Sequence, residues 1–290
     1  QSSDAELYNA RANVYYDKGD YDLALVDYNR ALKLKPDFAL VFSNAGDARS
    51  RRGEYDRAIA DYNKAIGFEP KNAAYYTRRS QAHYAKEDYD RAIADATRVI
   101  ELDPANATAF NSRSSSLIFK GDYERAIADA TRAIELSPNS GNDFNNRGRA
   151  YLEKGEYSLA IGDLTRAIEL NPKSANPYRH RGVAYLKTGK IDLARADLTR
   201  ALELKPDYQD AKIALAELEP DDAAQRLGQR LDRGEPRRLV DLDRVVDELE
   251  QERRRVGELG PVPLRPRGLE AAPHRDQRLG RGRGRVHEFL

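Results

Sequence analysis

The side chains best suited to carry protons or bind a metal at neutral pH are four histidines, His83, His180, His274 and His287, and they show no metal-ligand spacing. The chain has no Cys, so there is no thiolate for zinc, no disulfide and no thiol nucleophile. Asp and Glu are plentiful, 48 against 49 Lys and Arg, but helix surfaces explain their distribution better than an acid–base pair does. The Gly-x-Gly pattern in GRGRGR at 280–285 neither follows a strand nor opens a helix, so it forms no dinucleotide site. Neither catalysis nor a cofactor or metal is expected.

A more regular chemistry lies in ion pairs and amides. Asp27, Asp61, Asp95, Asp129, Asp163 and Asp197 recur every 34 residues, and Arg11, Arg79, Arg113, Arg147 and Arg181 keep the same phase. The two series read as structural salt bridges between stacked helices. A basic residue three places after each Asp (Arg30, Lys64, Arg98, Arg132, Arg166, Arg200) offers a competing partner on the same helix. His83 stands where other stretches carry Tyr15, Tyr151 and Tyr185, so it reads as a core residue.

The elements that position these residues share the interval. Pro36, Pro70, Pro104, Pro138, Pro172 and Pro206 are 34 residues apart, and so are Ala24, Ala58, Ala92, Ala126, Ala160 and Ala194. Such a period predicts a repeat architecture, because one unit cannot bury its apolar face alone and stacked neighbours share a core. Each period holds two stretches of helical apolar spacing broken by a Gly (Gly19, Gly53, Gly121, Gly155, Gly189), hence a helix pair. Six units follow: 5–38, 39–72, 73–106, 107–140, 141–174 and 175–208. Asp4, Asn72, Asn106, Ser140 and Ser174 read as caps of the first helix, and Phe38 leaves the second unit without one. Glu87 replaces the turn Gly in the third unit, a strain of about 1 kcal/mol if the left-handed geometry is kept. QDAKIALAEL at 209–218 reads as a solvating helix closing the stack.

This pattern resembles the tetratricopeptide repeat (TPR) family, in a bacterial style. It has an aromatic early in helix one (Tyr8, Phe42, Tyr76, Phe110, Phe144, Tyr178), small residues where the helices cross (Ala12, Gly46, Ser80, Ser114, Gly148, Gly182) and the closing Pro. Arg49, His83 and Leu117 depart from it at the Tyr15 position. The resemblance implies an all-α fold, a right-handed α-solenoid of stacked antiparallel helix pairs, with a concave face lined by helix one.

Carrying the family's groove positions across gives Asn9, Asn13 and Asp17, then Ser43, Asn44 and Asp47, then Thr77, Arg78, Gln81 and Tyr84. It continues with Asn111, Ser112, Ser115 and Phe119, then Asn142, Asn145, Asn146 and Arg149, and ends with Asn176, Arg179, His180 and Lys187. A face rich in Asn, Ser and Thr can hydrogen-bond an extended peptide backbone without demanding one sequence. Its ends differ in sign, with Glu6, Asp17 and Asp47 at one and Arg149, Arg179 and Lys187 at the other. Some members of the family hold the C-terminal carboxylate of heat-shock chaperones with two Lys, two Asn and one Arg. Here Asn13, Asn44 and Arg78 match, but Asn9 and Ala74 replace the Lys residues, so that ligand is not expected.

The net charge of +1 gives no bulk attraction to nucleic acid or anionic membrane, and no apolar run approaches a membrane span. A chain that begins at Gln1 and lacks Met reads as processed or partial, which leaves the compartment open between cytoplasm and export. From 221 to 290 the composition changes: Arg occurs 16 times, and Lys, Ser, Thr, Asn, Ile and Tyr vanish. Apart from Phe289, that stretch uses only residues encoded by codons beginning with C or G, which suggests a frameshifted segment of a GC-rich gene. The rival reading is a genuine Arg-rich disordered tail. The expected function is a non-catalytic scaffold that binds a protein or peptide segment in its groove. The alternative is the regulatory or localisation arm of a larger enzyme. Partner identity and oligomeric state stay open.

Overall fold

The computed structural model describes residues 2–218, which form thirteen α-helices and no strand. The tail expectations for 221–290 lie outside the described residues. The helices are α1 (Ser2–Asp17), α2 (Tyr21–Leu34), α3 (Ala39–Arg51), α4 (Tyr55–Phe68), α5 (Ala73–Ala85), α6 (Tyr89–Leu102) and α7 (Ala107–Lys120). They continue with α8 (Tyr123–Leu136), α9 (Gly141–Lys154), α10 (Tyr157–Leu170), α11 (Ala175–Lys187), α12 (Ile191–Leu204) and α13 (Gln209–Ala216). Each odd helix up to α11 packs on the even helix after it, each even helix packs on the next odd one, and successive odd helices also touch. The result is an all-α stack of antiparallel helix pairs whose odd helices form one continuous face.

Short turns set the pairs. Gly19, Gly53, Gly121, Gly155 and Gly189 hold φ between 72° and 86°, and Glu87 takes the same left-handed conformation at φ 60°. At α5 and α7, Asn72 and Asn106 accept amides of the first turn. The other expected caps differ. Asp4 lies inside α1, which starts at Ser2, so it supplies first-turn charge. Ser140 and Ser174 occupy the cap positions without accepting an amide.

The crossing between paired helices explains the Ala and Gly series. Ala24, Ala58, Ala92, Ala126, Ala160 and Ala194 are fully buried. Opposite a large helix-two residue the chain places Gly: a Cβ on Gly46 would lie 2.6 Å from the Tyr62 ring, and one on Gly148 2.7 Å from Leu164 Cγ. Where helix two has Ala96 or Ala130 instead, helix one has Ser80 or Ser114, whose hydroxyl donates to the carbonyl of Ala92 or Ala126 at 2.8 Å. Volume is thus matched in the second to sixth pairs, while in the first pair Ala12 carries its Cβ opposite the buried Tyr28.

The Arg and Asp series meet within each pair. Arg11, Arg79, Arg113, Arg147 and Arg181 grip Asp27, Asp95, Asp129, Asp163 and Asp197 through two nitrogens each, at 2.6–2.9 Å. These carboxylates are buried, and the Arg11 hydrogen bonds hold the Asp27 carboxyl below its usual range. From α5 onward the same guanidinium also reaches back to helix two of the preceding pair, at Asn63, Thr97, Thr131 or Thr165. In the second pair Ala45 stands at the Arg position, and Arg49, at the aberrant Tyr position, supplies the cation to Asp61. The expected same-helix competition occurs only at Arg30, which bonds Asp27. Arg98, Arg132, Arg166 and Arg200 turn away to Glu101, Glu135, Glu169 and Glu203, one turn further along their own helix.

Candidate peptide groove

The expected groove residues lie on odd helices, and many are joined from one pair to the next. At the first end the Asn44 amide donates to Asn9 Oδ1 at 3.2 Å and Asn13 Oδ1 at 3.3 Å, while the buried Tyr28 hydroxyl donates to Asn13 at 2.7 Å. Next, Arg78 donates to Ser43 at 2.9 Å and pairs with Asp47 at 2.6 Å, a carboxylate also held by Tyr62. Burial nevertheless pushes the Asp47 carboxyl above its ordinary value. The expected negative end is therefore partly neutralised inside the groove, because Arg78 already occupies Asp47.

The middle is aromatic. Ser115 donates to the Tyr84 hydroxyl at 3.1 Å, and Tyr84 meets both Tyr89 and Phe119 edge-on. Phe119 stacks on Tyr89 with centroids 4.9 Å apart and planes within 6°, yet stays 45% exposed. The Arg149 guanidinium lies over the Phe119 ring at 4.2 Å, close enough for a cation–π contact. Asn111 donates to Asp143, and Asn146 donates to the Asn111 carbonyl at 3.4 Å.

The far end is the most basic. Asn145 donates to Asn146 at 3.5 Å, and Asn145 Oδ1 accepts from His180 Nδ1 at 3.0 Å. His180 was expected on the groove surface, but it is buried at 5% exposure. Burial, with Arg149 and Arg179 close by, holds it far below the ordinary histidine pKa, so at neutral pH it is an uncharged support that orients Asn145. Arg179 pairs with Asp210 of α13 at 3.1 Å. Asn176 and Lys187 are exposed, whereas Asn9, Asn13, Asn44, Arg78, Asn111, Asn145, Asn146, Arg149 and Arg179 are half-buried.

Two features escaped the sequence reading. Asp210 stands 34 residues after Asn176, so α13 extends the odd-helix face besides closing the stack. Away from the groove, a ladder with a 30-residue offset joins successive pairs: Arg52 to Asp22, Lys86 to Asp56, Lys120 to Asp90 and Lys154 to Glu124. The alternation of charge at that spacing was its only trace in the sequence.

Among the described residues, no group of three His, Cys, Asp or Glu is placed to hold a metal, and no helix is long and apolar enough to cross a membrane. No curated protein sequence matches the chain significantly. Solved structures do. A TPR protein from Parabacteroides merdae ATCC 43184 superposes with a TM-score of 0.68 at 18% identity, covering 86% of this chain and 98% of that one. YrrB, described as a TPR protein with an unusual peptide-binding site, gives 0.51 at 22% identity over 64% and 96%. A chain of the APC/C Cut9–Hcn1 hetero-tetramer gives 0.65 at 20% identity over 74% of this chain and 42% of that longer one. At these identities the likeness establishes the fold. A family model described as TPR repeat matches residues 12–51, 46–86 and 148–189, and two described as tetratricopeptide repeat match 77–141 and 175–208. Together with the helix pairs and their Gly, Ala and Pro landmarks, these matches make the chain a member of the tetratricopeptide repeat family.

Proposed function

We propose that this protein is an interaction scaffold that takes an extended segment of a partner protein along the face formed by its odd helices. The observation that carries this reading is the strip of amides, hydroxyls and guanidiniums joined across the pairs, from Asn9 to Arg179. Groups tied to one another lose little freedom on binding, and each amide keeps donor or acceptor capacity for a peptide backbone. YrrB, a relative in fold, is described by its peptide-binding site, which favours the same use of the fold here. Acidic side chains of the partner are assigned to the end bearing Arg149, Arg179 and Lys187, where a guanidinium can meet a carboxylate through two donors.

The test is a peptide-array screen followed by titration of two variants of the full chain. Replacing Arg149 and Arg179 together by Ala should weaken binding of the selected peptide and reduce its salt dependence. Replacing Arg30 and Arg98 on the even helices should change neither. Equal affinity in the two variants would put the binding surface elsewhere.

A further inference from the structure

Arg179 and Arg149 differ in what they already hold. Arg149 lies over the Phe119 ring with its Nε buried and without a hydrogen-bond partner, and among the described residues no carboxylate pairs with it. Arg179 also has a buried, unpartnered Nε, but one terminal nitrogen pairs with Asp210. Both guanidiniums lie near His180 and near Tyr208, the residue that precedes α13.

The Arg179–Asp210 contact differs from the structural salt bridges. Arg181 grips the buried Asp197 through two nitrogens at 2.7 and 2.9 Å. Asp210 offers one oxygen at 3.1 Å and is 58% exposed, whereas Arg179 is 21% exposed. An ion pair with one partner so wet contributes little and is readily exchanged. Asp210 also stands at the α13 counterpart of Asn176, a groove position, so it meets Arg179 from the side on which a bound peptide would lie.

We propose that Asp210 is the groove's own occupant at Arg179, and that an acidic partner segment binds by bridging Arg149 and Arg179 while its carboxylate replaces that of Asp210. This rests on the groove reading above. The α13 helix is then a tethered competitor whose local concentration sets a threshold: a partner needs more than one acidic group, or one placed to use both arginines, to displace it. The class selected is a segment with closely spaced carboxylates, and isolated acidic residues are screened out.

The probe is a fluorescein-labelled hexaglutamate peptide, titrated by anisotropy into the full chain at low salt. Asp210→Asn should bind it about two- to fivefold more tightly, the range expected on removing a weak competing ion pair. Asp192→Asn, an equal charge change on the exposed start of α12, should leave the affinity unchanged. In an Arg179→Ala background Asp210→Asn should give no gain. An unchanged or weaker affinity for Asp210→Asn, an equal gain for Asp192→Asn, or a gain that persists without Arg179 would each overturn the exchange. In that event a loss of binding in the Arg149→Ala, Arg179→Ala double variant leaves the groove standing. No loss in the double variant, or no binding of hexaglutamate by any of the proteins, removes the groove's acidic preference along with the exchange.

Discussion

Substituting Gly148 by Ala tests whether volume matching at the helix crossings holds the pairs together. The added Cβ would sit 2.7 Å from Leu164 Cγ, 3.1 Å from Leu164 Cδ2 and 3.3 Å from the Ala160 carbonyl oxygen. Leu164 and Ala160 are fully buried, so neither can swing into solvent. Overpacking of this kind costs about 1–3 kcal/mol, offset by the roughly 1 kcal/mol that Ala gains over Gly inside a helix. Gly148→Ala should therefore be destabilising by about 0–2 kcal/mol. Leu164→Ala alone should lose about 2–5 kcal/mol through lost burial and a cavity. With Leu164 gone the clash vanishes, so adding Gly148→Ala to Leu164→Ala should stabilise by about 1 kcal/mol. The coupling between the sites is then about 1–3 kcal/mol, read from guanidinium chloride unfolding of the four proteins by circular dichroism. The chain contains its own comparisons: Ser80 and Ser114 face the small Ala96 and Ala130 in the third and fourth pairs, whereas in the first pair Ala12 is accommodated opposite Tyr28. Additivity within about 0.5 kcal/mol would refute the argument.

Two further outcomes concern buried charge. Arg49→Ala leaves the Asp61 carboxylate buried without its cation, at a cost of about 3–5 kcal/mol, and adding Asp61→Asn should restore part of it; a thermal shift equal in single and double variants would contradict the pairing. His180 and His83 both have their basicity depressed by burial, so the unfolded chain binds protons that the folded one refuses. Their contribution is complete above the unfolded pKa of about 6.5 and is lost as pH falls below it, by up to about 1.4 kcal/mol per pH unit for each histidine. Asp47 and Asp143 act in the opposite sense, because burial raises them and protonation favours the fold. Comparing wild type with His180→Gln between pH 7.5 and 5.5 isolates the histidine: parallel curves would show that His180 takes up its proton without unfolding.

Periodicity carried most of the architecture, since the landmarks that make a turn, a crossing or a helix stop depend on local sterics that a sequence displays directly. The Asp and Arg series could be paired for the same reason, because both members repeat in phase. Legibility failed where a residue's environment comes from a neighbour outside its own unit. His180 shares a phase with Asn44, Arg78 and Asn146, all half-buried, yet it is buried beside Arg149 and Arg179. Arg49 looked like a defect in the aromatic series, and only the absence of Arg at Ala45 shows it to be a replacement cation. Asp210 was passed over because the Ala and Pro series end at Ala194 and Pro206, so no landmark after 208 marks it as part of the repeat.

The backward reach of the helix-one arginines bears on how such a chain can change length. In the fourth to sixth pairs the reaching Arg finds a Thr sixteen residues upstream, so each joint presents the same socket to the same plug. Excising 107–140 would bring Arg147 against Thr97, and duplicating it would set a second Arg113 equivalent against Thr131, so this one contact survives either change. A gene encoding these pairs can thus gain or lose whole modules by recombination within the array and still yield a joined solenoid. The joint between the first and second pairs lacks this plug, because Ala45 offers nothing to extend backward.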